Sequence, residues 1–388
     1  MNRNLKTVFL VLLIGPATWP ACAQDATTVS ALQLPEQKSP DRYGLSFRMG
    51  FNITTSFKNA GSIPPAGHLV PQPGAGLTLQ PQPGNPNGDQ FGNRTYEDGY
   101  VYLDNTGNAL GFTHYWGYDN KSLQYNPSVG TIDMHSSSSP GVNSNNQSDD
   151  PQLGFEFTYN RELGRGKGWS WGIEAAFNYT DVTIHDSRPL TGSGSLTANT
   201  FLVPPTFDPG SGIVPGDPPA APPPYYGTYY PNPNGNPVIA ATPIGTNYTA
   251  FSTQISGTRH FDADVFGWRI GPYAEFPLGS KVSVLVGGGL SLVVVSSDFS
   301  YNETVSYDEG VGNGTVARNS SGSGSHSDLL VGGYVGGTVN VALSKKWGAF
   351  AGVQFQSVGE YTQTVNDRKA VLDLGQSVFV SIGASCSF

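Results

Sequence analysis

Cysteine is almost absent from this 388-residue chain, with only Cys22 and Cys386. Cleavage of the leader described below removes Cys22, so no intramolecular disulfide can form. Charge is also scarce, at 13% of residues, and 20 Lys+Arg face 29 Asp+Glu for a net charge of −9. That acidic balance argues against nucleic acid as a partner. After the leader, no apolar run is long enough for a membrane-spanning helix, so strands are the only way this chain could cross a bilayer. P-loop, dinucleotide fingerprint, C-x-x-C, Ca²⁺ loop and G-x-S-x-G elbow are all missing. The sequence therefore predicts no cofactor and no enzyme.

The first thing present is an export signal. Arg3 and Lys6 precede an apolar run from Val8 to Ile14, and Ala21-Cys22-Ala23 supplies an A-x-A site. Residues 1–23 read as a signal peptide cleaved near Ala23, leaving Gln24 first. Cys22 invites a lipoprotein reading, but Trp19-Pro20-Ala21 is a poor context for lipid attachment. Loss of Arg3 and Lys6 takes the net charge from −9 to −11. Residues 24–41 form a polar lead-in.

Beyond it, apolar residues alternate with polar or small ones, the period of a strand with one apolar face. Tyr43, Leu45, Phe47, Met49, Phe51 and Ile53 alternate with Gly44, Ser46, Arg48, Gly50 and Asn52. The same rule predicts strands at Leu153–Asn160, Trp169–Tyr179, Phe266–Phe276, Val282–Val294, Leu329–Leu343 and Trp347–Phe355, and a last one from near Val371 to Phe388. Pro272 suggests a bulge in the fourth, and Leu285 and Val293 leave the inner face of the fifth mixed. An apolar content of 37% suits such a design, since only half of each strand needs to be apolar.

The final run, with Val378, Val380, Ile382, Ala384 and Cys386 alternating up to Phe388, resembles the closing strand of bacterial outer-membrane β-barrels. The resemblance implies that Val380, Ile382 and Phe388 belong to the signal read by the barrel-assembly machinery. It extends to small OmpA-type transmembrane barrels, without the cell-wall-binding domain that follows some of them. The implied fold is all-β: an antiparallel up-and-down transmembrane barrel over residues 42–388, of eight strands or, alternatively, ten. The alternative arises from residues 96–135, where two strand-like segments could form a hairpin in the wall. Their poor alternation favours an ordered part of the first outer loop.

Connection lengths agree with this topology. Turns near 163–168, 277–280 and 344–346 are short, while connections at about 54–150, 186–251, 306–326 and 363–370 are external loops, the last of them short. Short periplasmic turns and long outer loops are the barrel pattern. Tyr43, Tyr159, Trp169, Phe276, Trp347 and Phe388 fall at the periplasmic ends of their strands and form an expected aromatic girdle. Residues 61–90 and 204–243 are rich in Pro and Gly and read as solvated coil, or as a contact surface for an extracellular ligand or surface polymer.

Arg48, Glu156, Glu174, Arg269, Tyr273, Glu275 and Gln354 fall on the inward faces. In so narrow a barrel they predict a paired polar plug rather than a solute pathway. His260, Asp262 and Asp264 share one strand face above the apolar band, with Asp298 expected opposite His260. They form a weak candidate for a divalent metal, against the plainer reading of a solvated strand extension. The resulting expectation is an integral outer-membrane barrel in contact with lipid, whose loops serve structure or surface contact. A narrow porin-like channel is the alternative, and an outer-membrane enzyme is less favoured.

Overall fold

A computed structural model describes residues 41–64, 93–102, 111–204, 225–227, 237–308 and 314–387, together with the strand backbone at 207–208 and 212–213. The leader, the lead-in up to 40, most of the Pro-rich segments and Phe388 lie outside the described residues.

Eight strands make the wall: β1 Asp41–Phe51, β2 Gln152–Gly166, β3 Trp169–Asp186, β4 Gly245–Pro277, β5 Val282–Asp308, β6 Thr315–Ala342, β7 Trp347–Ser357 and β8 Ser377–Ser387. Each pairs antiparallel with its neighbours in this order, and β8 returns to β1 through pairs from Arg42–Ser387 to Phe51–Val378. The sheet has no edge at this level, the one arrangement in which strands leave no backbone group unpaired in lipid. Short turns sit at one rim, and Gly168 takes the left-handed φ of +88° in the β2–β3 turn.

Register sets the bore. A row followed round the wall from Cys386 passes Tyr43, Tyr159, Ala175, Ile270, Leu290, Gly333 and Ser357. Ser357 lies one residue past the Gln356–Ser377 pair, so the row returns near position 376, about ten residues from its start. Eight tilted strands with that stagger enclose room for side chains and little else.

Three strands are far longer than a bilayer needs: β4 has 33 residues, β5 27 and β6 28. About 9–11 tilted residues suffice to cross. Their side chains divide the molecule in two. On β5 the outward row runs Val282, Val284, Val286, Gly288, Leu290, Leu292, Val294 and then changes to Ser296, Asp298, Ser300, Asn302 and Thr304. The inward row changes the opposite way at the same place. Ser291 is followed by Val293, Val295, Ser297, Phe299 and Tyr301, all buried. Neighbouring strands switch in register: Tyr179, Phe266, Val294 and Leu329 are the last apolar outward residues, and Asp181, Asp264, Ser296 and Ser327 follow them. Below this line the barrel is apolar outside and polar inside; above it the polarity is that of a water-soluble fold.

The upper part is a folded head. Its lowest core joins Ile53, Phe57, Val182, Ile184, Phe261, Val293, Val295, Phe299, Tyr361 and Phe379. A second cluster holds Ile63, Leu196, Phe251, Ile255, Val305 and Tyr307, and a third Tyr96, Val101, Trp116, Tyr118, Ile132, Met134, Phe201 and Ile239. The strand Leu190–Leu202 takes over from β3 as partner of β4 and is itself paired to Thr131–Ser138. Gly99–Val101 and Trp116–Tyr118 pair with each other and, through the latter, with Tyr225–Tyr226, outside the ring. The wall therefore has eight strands, and the ten-stranded alternative falls away.

Several sequence expectations need correction. Much of 186–251 and 306–326 is strand, because an extension surrounded by water needs no outward apolar row to mark it. Val371 belongs to a head hairpin, Glu360–Val365 with Arg368–Asp373, and the wall strand starts at Ser377. Pro272 makes no bulge. Pairing to β5 lapses at Gly271 and Pro272, but Ile270–Leu290 and Tyr273–Gly287 keep one register across the gap. The inward Val293 on β5 is the floor of the head core.

Candidate functional site

Inside the membrane section the charges are organised around Glu156. Arg48 meets one of its oxygens at 3.1 Å and Arg269 the other at 2.9 Å. Arg269 also reaches Glu174 at 3.2 Å, and Arg42 reaches Glu275 at 3.1 Å. Arg48 donates to Gln356 Oε1 at 3.2 Å, as Gln354 does at 3.0 Å, while Asn160 donates to Glu174 at 2.7 Å. The Arg48 guanidinium lies 3.6 Å from the centroid of Phe379, the base of the head core. Tyr273 is buried, and Tyr334 lies under Arg269 at 4.9 Å. All seven lumen residues named from the sequence thus face inward. Alternation brings them to one face, and closure of the ring brings their strands together.

The space they leave is a cavity of about 40 Å³, on the order of one water molecule. Immediately above, Val293, Val182, Ile53 and Phe379 close the bore with apolar side chains.

At the short-turn rim, Tyr43, Trp169, Phe276 and Trp347 are exposed and Tyr159 half-buried, with its ring 5.1 Å from that of Tyr43. Ile382 is exposed and Val380 half-buried on the outer face of β8, whereas Cys386 is covered between Tyr43 and Trp347. Phe388 lies outside the described residues, so the positions of the residues expected to form the girdle and the assembly signal are given except for it.

His260, Asp262 and Asp264 do lie on one face, and His260 and Asp262 meet, but Asp264 turns to another partner. His260 Nε2 is 2.5 Å from Asp262, its ring packs at a tilt against His185 with centroids 3.8 Å apart, and Asp264 accepts from the Tyr179 hydroxyl at 2.6 Å. Asp298 stands opposite Asp262, with Ser300 opposite His260. The expected register was two residues off, since Phe276 pairs with Val284 and not with Val282. Among the described residues no three His, Cys, Asp or Glu side chains gather as a metal site.

Sequence reasoning missed a second charged cluster, inside the head between the first two apolar layers. Arg259 Nε bonds Glu303 at 2.6 Å, Arg368 reaches the other Glu303 oxygen at 3.3 Å, and the Gly61 amide donates to it at 2.8 Å. Asp186 stands 3.6 Å from Arg259 and accepts from Arg188 at 2.9 Å. Arg259 and Glu303 are 1% and 0% exposed, so the pair lies wholly in the interior. A signal did exist: both share the inward parity of Phe261, Phe299 and Tyr301, but they lie beyond the apolar strand spans 266–276 and 282–294, outside which inward residues were not followed. The outermost layer is dense in tyrosine, and burial pushes the Tyr225 phenol up to about 12, so it stays neutral.

No protein-family model matches the chain, and no characterised protein matches it in sequence. Among solved structures, Ail, the attachment invasion locus protein of Yersinia pestis, is similar over 91% of this chain and 100% of its own at 10% identity and a TM-score of 0.27. Ail in complex with the heparin analogue sucrose octasulfate matches over 67% and 94% at 11% identity and a TM-score of 0.22. The outer membrane protease OmpT from Escherichia coli matches over 90% and 96% at 8% identity and a TM-score of 0.29. At such scores these likenesses carry no argument, and the fold stands on the closed register and the outward apolar band. By that geometry the chain is an eight-stranded antiparallel transmembrane β-barrel with a folded head on its long-loop side.

Proposed function

We propose that this is an integral outer-membrane protein of a double-membraned bacterium, exported through its leader, that displays a rigid β-structured head at the cell surface. Its role is contact and envelope structure, without catalysis. One observation carries the reading: the bore is stopped twice, by a paired charge network with about 40 Å³ free and by the apolar base of the head. A conducting path would have to break ion pairs whose loss leaves buried charge, at about 3–5 kcal/mol each. It would also have to wet a packed apolar core. The three strands that extend beyond the bilayer are instead built to hold a surface away from it.

Planar-bilayer recording of the purified protein tests this. The reading expects no steady unitary current, and well-resolved openings would favour the narrow-channel alternative.

A further inference from the structure

Exposed charge is divided between the two ends of the barrel. At the short-turn rim stand the exposed cations Arg161, Arg165, Lys167, Lys281, Lys345 and Lys346. The carboxylates there, Asp41 and Glu162, are half-buried and engaged, Glu162 with Arg165 and Asp41 with the Tyr159 hydroxyl at 2.8 Å. Among the described residues every exposed Asp or Glu, such as Asp149, Asp181, Asp298 and Asp328, lies on the long-loop side. A chain of net charge −9 thus carries a locally basic rim.

Each short turn repeats one constellation, a girdle aromatic, an exposed leucine and a lysine. The β2–β3 turn has Trp169, Leu163 and Lys167, the β4–β5 turn Phe276, Leu278 and Lys281, and the β6–β7 turn Trp347, Leu343 and Lys346. Leu163, Leu278 and Leu343 are 48%, 68% and 70% exposed. Three turns that projected into water would gain nothing from such leucines, whereas an acyl boundary covers them. None of Lys167, Lys281 and Lys346 has an ion-pair partner among the described residues. Backbone bonds fix two of these turns to the wall. The Leu278 amide donates to the Val282 carbonyl at 2.9 Å, the Ala342 amide to the Lys281 carbonyl at 2.7 Å, and the Ser387 amide to the Lys346 carbonyl at 2.8 Å.

We infer that this rim binds the phosphate groups of anionic phospholipids in the leaflet on the short-turn side. The leucine lies in the acyl chains and the aromatic ring at the interface. The lysine stem follows the apolar surface, and its ammonium reaches the headgroup phosphate. A zwitterionic headgroup brings a cation of its own to that phosphate, so the lysines favour lipid of net negative charge. A soluble polyanion would meet the cations but leave the three leucines in water, which selects lipid. This inference rests on the reading of the chain as an integral outer-membrane barrel.

The test uses the full protein in phosphatidylcholine vesicles, with brominated phosphatidylglycerol or brominated phosphatidylcholine at equal mole fraction as the quencher. Trp171→Phe and Trp268→Phe leave Trp169 and Trp347 as reporters at the rim, beside Trp116, which is buried in the head. Phosphatidylglycerol should associate with the rim about fivefold more strongly than phosphatidylcholine, the scale of one lysine at an anionic surface. Lys167→Gln, Lys281→Gln and Lys346→Gln together should bring the two lipids within about twofold. Lys121→Gln with Lys369→Gln, which removes cations from the head, should leave the preference unchanged. Equal quenching by the two lipids in the protein with all its lysines overturns the proposal, and that comparison needs no lysine variant to fold. A preference that survives the triple substitution, or that falls with the head pair, overturns it as well. Absence of quenching by either lipid would instead overturn the barrel reading beneath it.

Discussion

Barrel and head are made from the same strands under opposite solvent conditions. Along β5 the outward face presents Leu290 and Leu292 to its surroundings, and a few residues on presents Ser300 and Asn302. Inward, Ser291 gives way to Phe299. The pairing and register of β5 with β4 and β6 do not change across the line, so the change of solvent accounts for the exchange of residue types. In lipid the outer surface must be apolar and the narrow interior takes the polar groups, paired. In water the apolar groups go inside.

The largest effect expected from breaking this contrast is at Glu303. Glu303→Leu removes the buried carboxylate that Arg259 and Arg368 share inside the head and should cost about 3–5 kcal/mol. The measurement is residue-level hydrogen exchange: amides of Phe299, Phe261 and Leu372 should lose protection while those of Phe47 and Ile173 keep it. Loss across both regions would mean that the head and the barrel form a single cooperative unit.

Next is one substitution at two places on the same face of the same strand. Leu290→Arg should destabilise the folded protein by about 2–4 kcal/mol in lipid, whereas Asn302→Arg should stay within about 0.5 kcal/mol. Urea unfolding in lipid vesicles measures both. Equal costs would remove the boundary placed between them.

How much of this was legible in the sequence follows from the same physics. Strands facing lipid declare themselves, because every second residue from Trp169 to Tyr179 or from Val282 to Val294 must be apolar, and the lumen residues follow by parity. The head does not declare itself in that way. Its outer rows of Ser, Thr and Asn look like loop, and its inner rows are interrupted by Glu303 and Arg259, which only tertiary pairing makes tolerable. Which polar side chains meet, Arg269 with Glu156 or His260 with His185, depends on turn length, and a two-residue error in the β4–β5 turn displaced Asp298 from its true partner.

The smallest expected effect is at the hairpin tip. Burial alone would raise the Asp367 carboxyl, but hydrogen bonds from Ser62 and Arg368 and the Arg368 charge outweigh it and hold the group below the ordinary carboxylate range. A depressed folded-state value means that the stabilisation is present above the unfolded value, about 3.9, and is lost as pH falls through the lower folded one. Exchange at Asn366 and Arg368 should therefore quicken only in strong acid, and Asp367→Asn should abolish that dependence.

The most direct measurement of the central claim is depth along β5. Single tryptophans placed at 286, 290, 294, 296, 300 and 304 in brominated-lipid vesicles report contact with acyl chains. The account predicts quenching at the first three positions and its loss from 296 onward. Quenching that continues through 300 and 304, or none at 290, would contradict it.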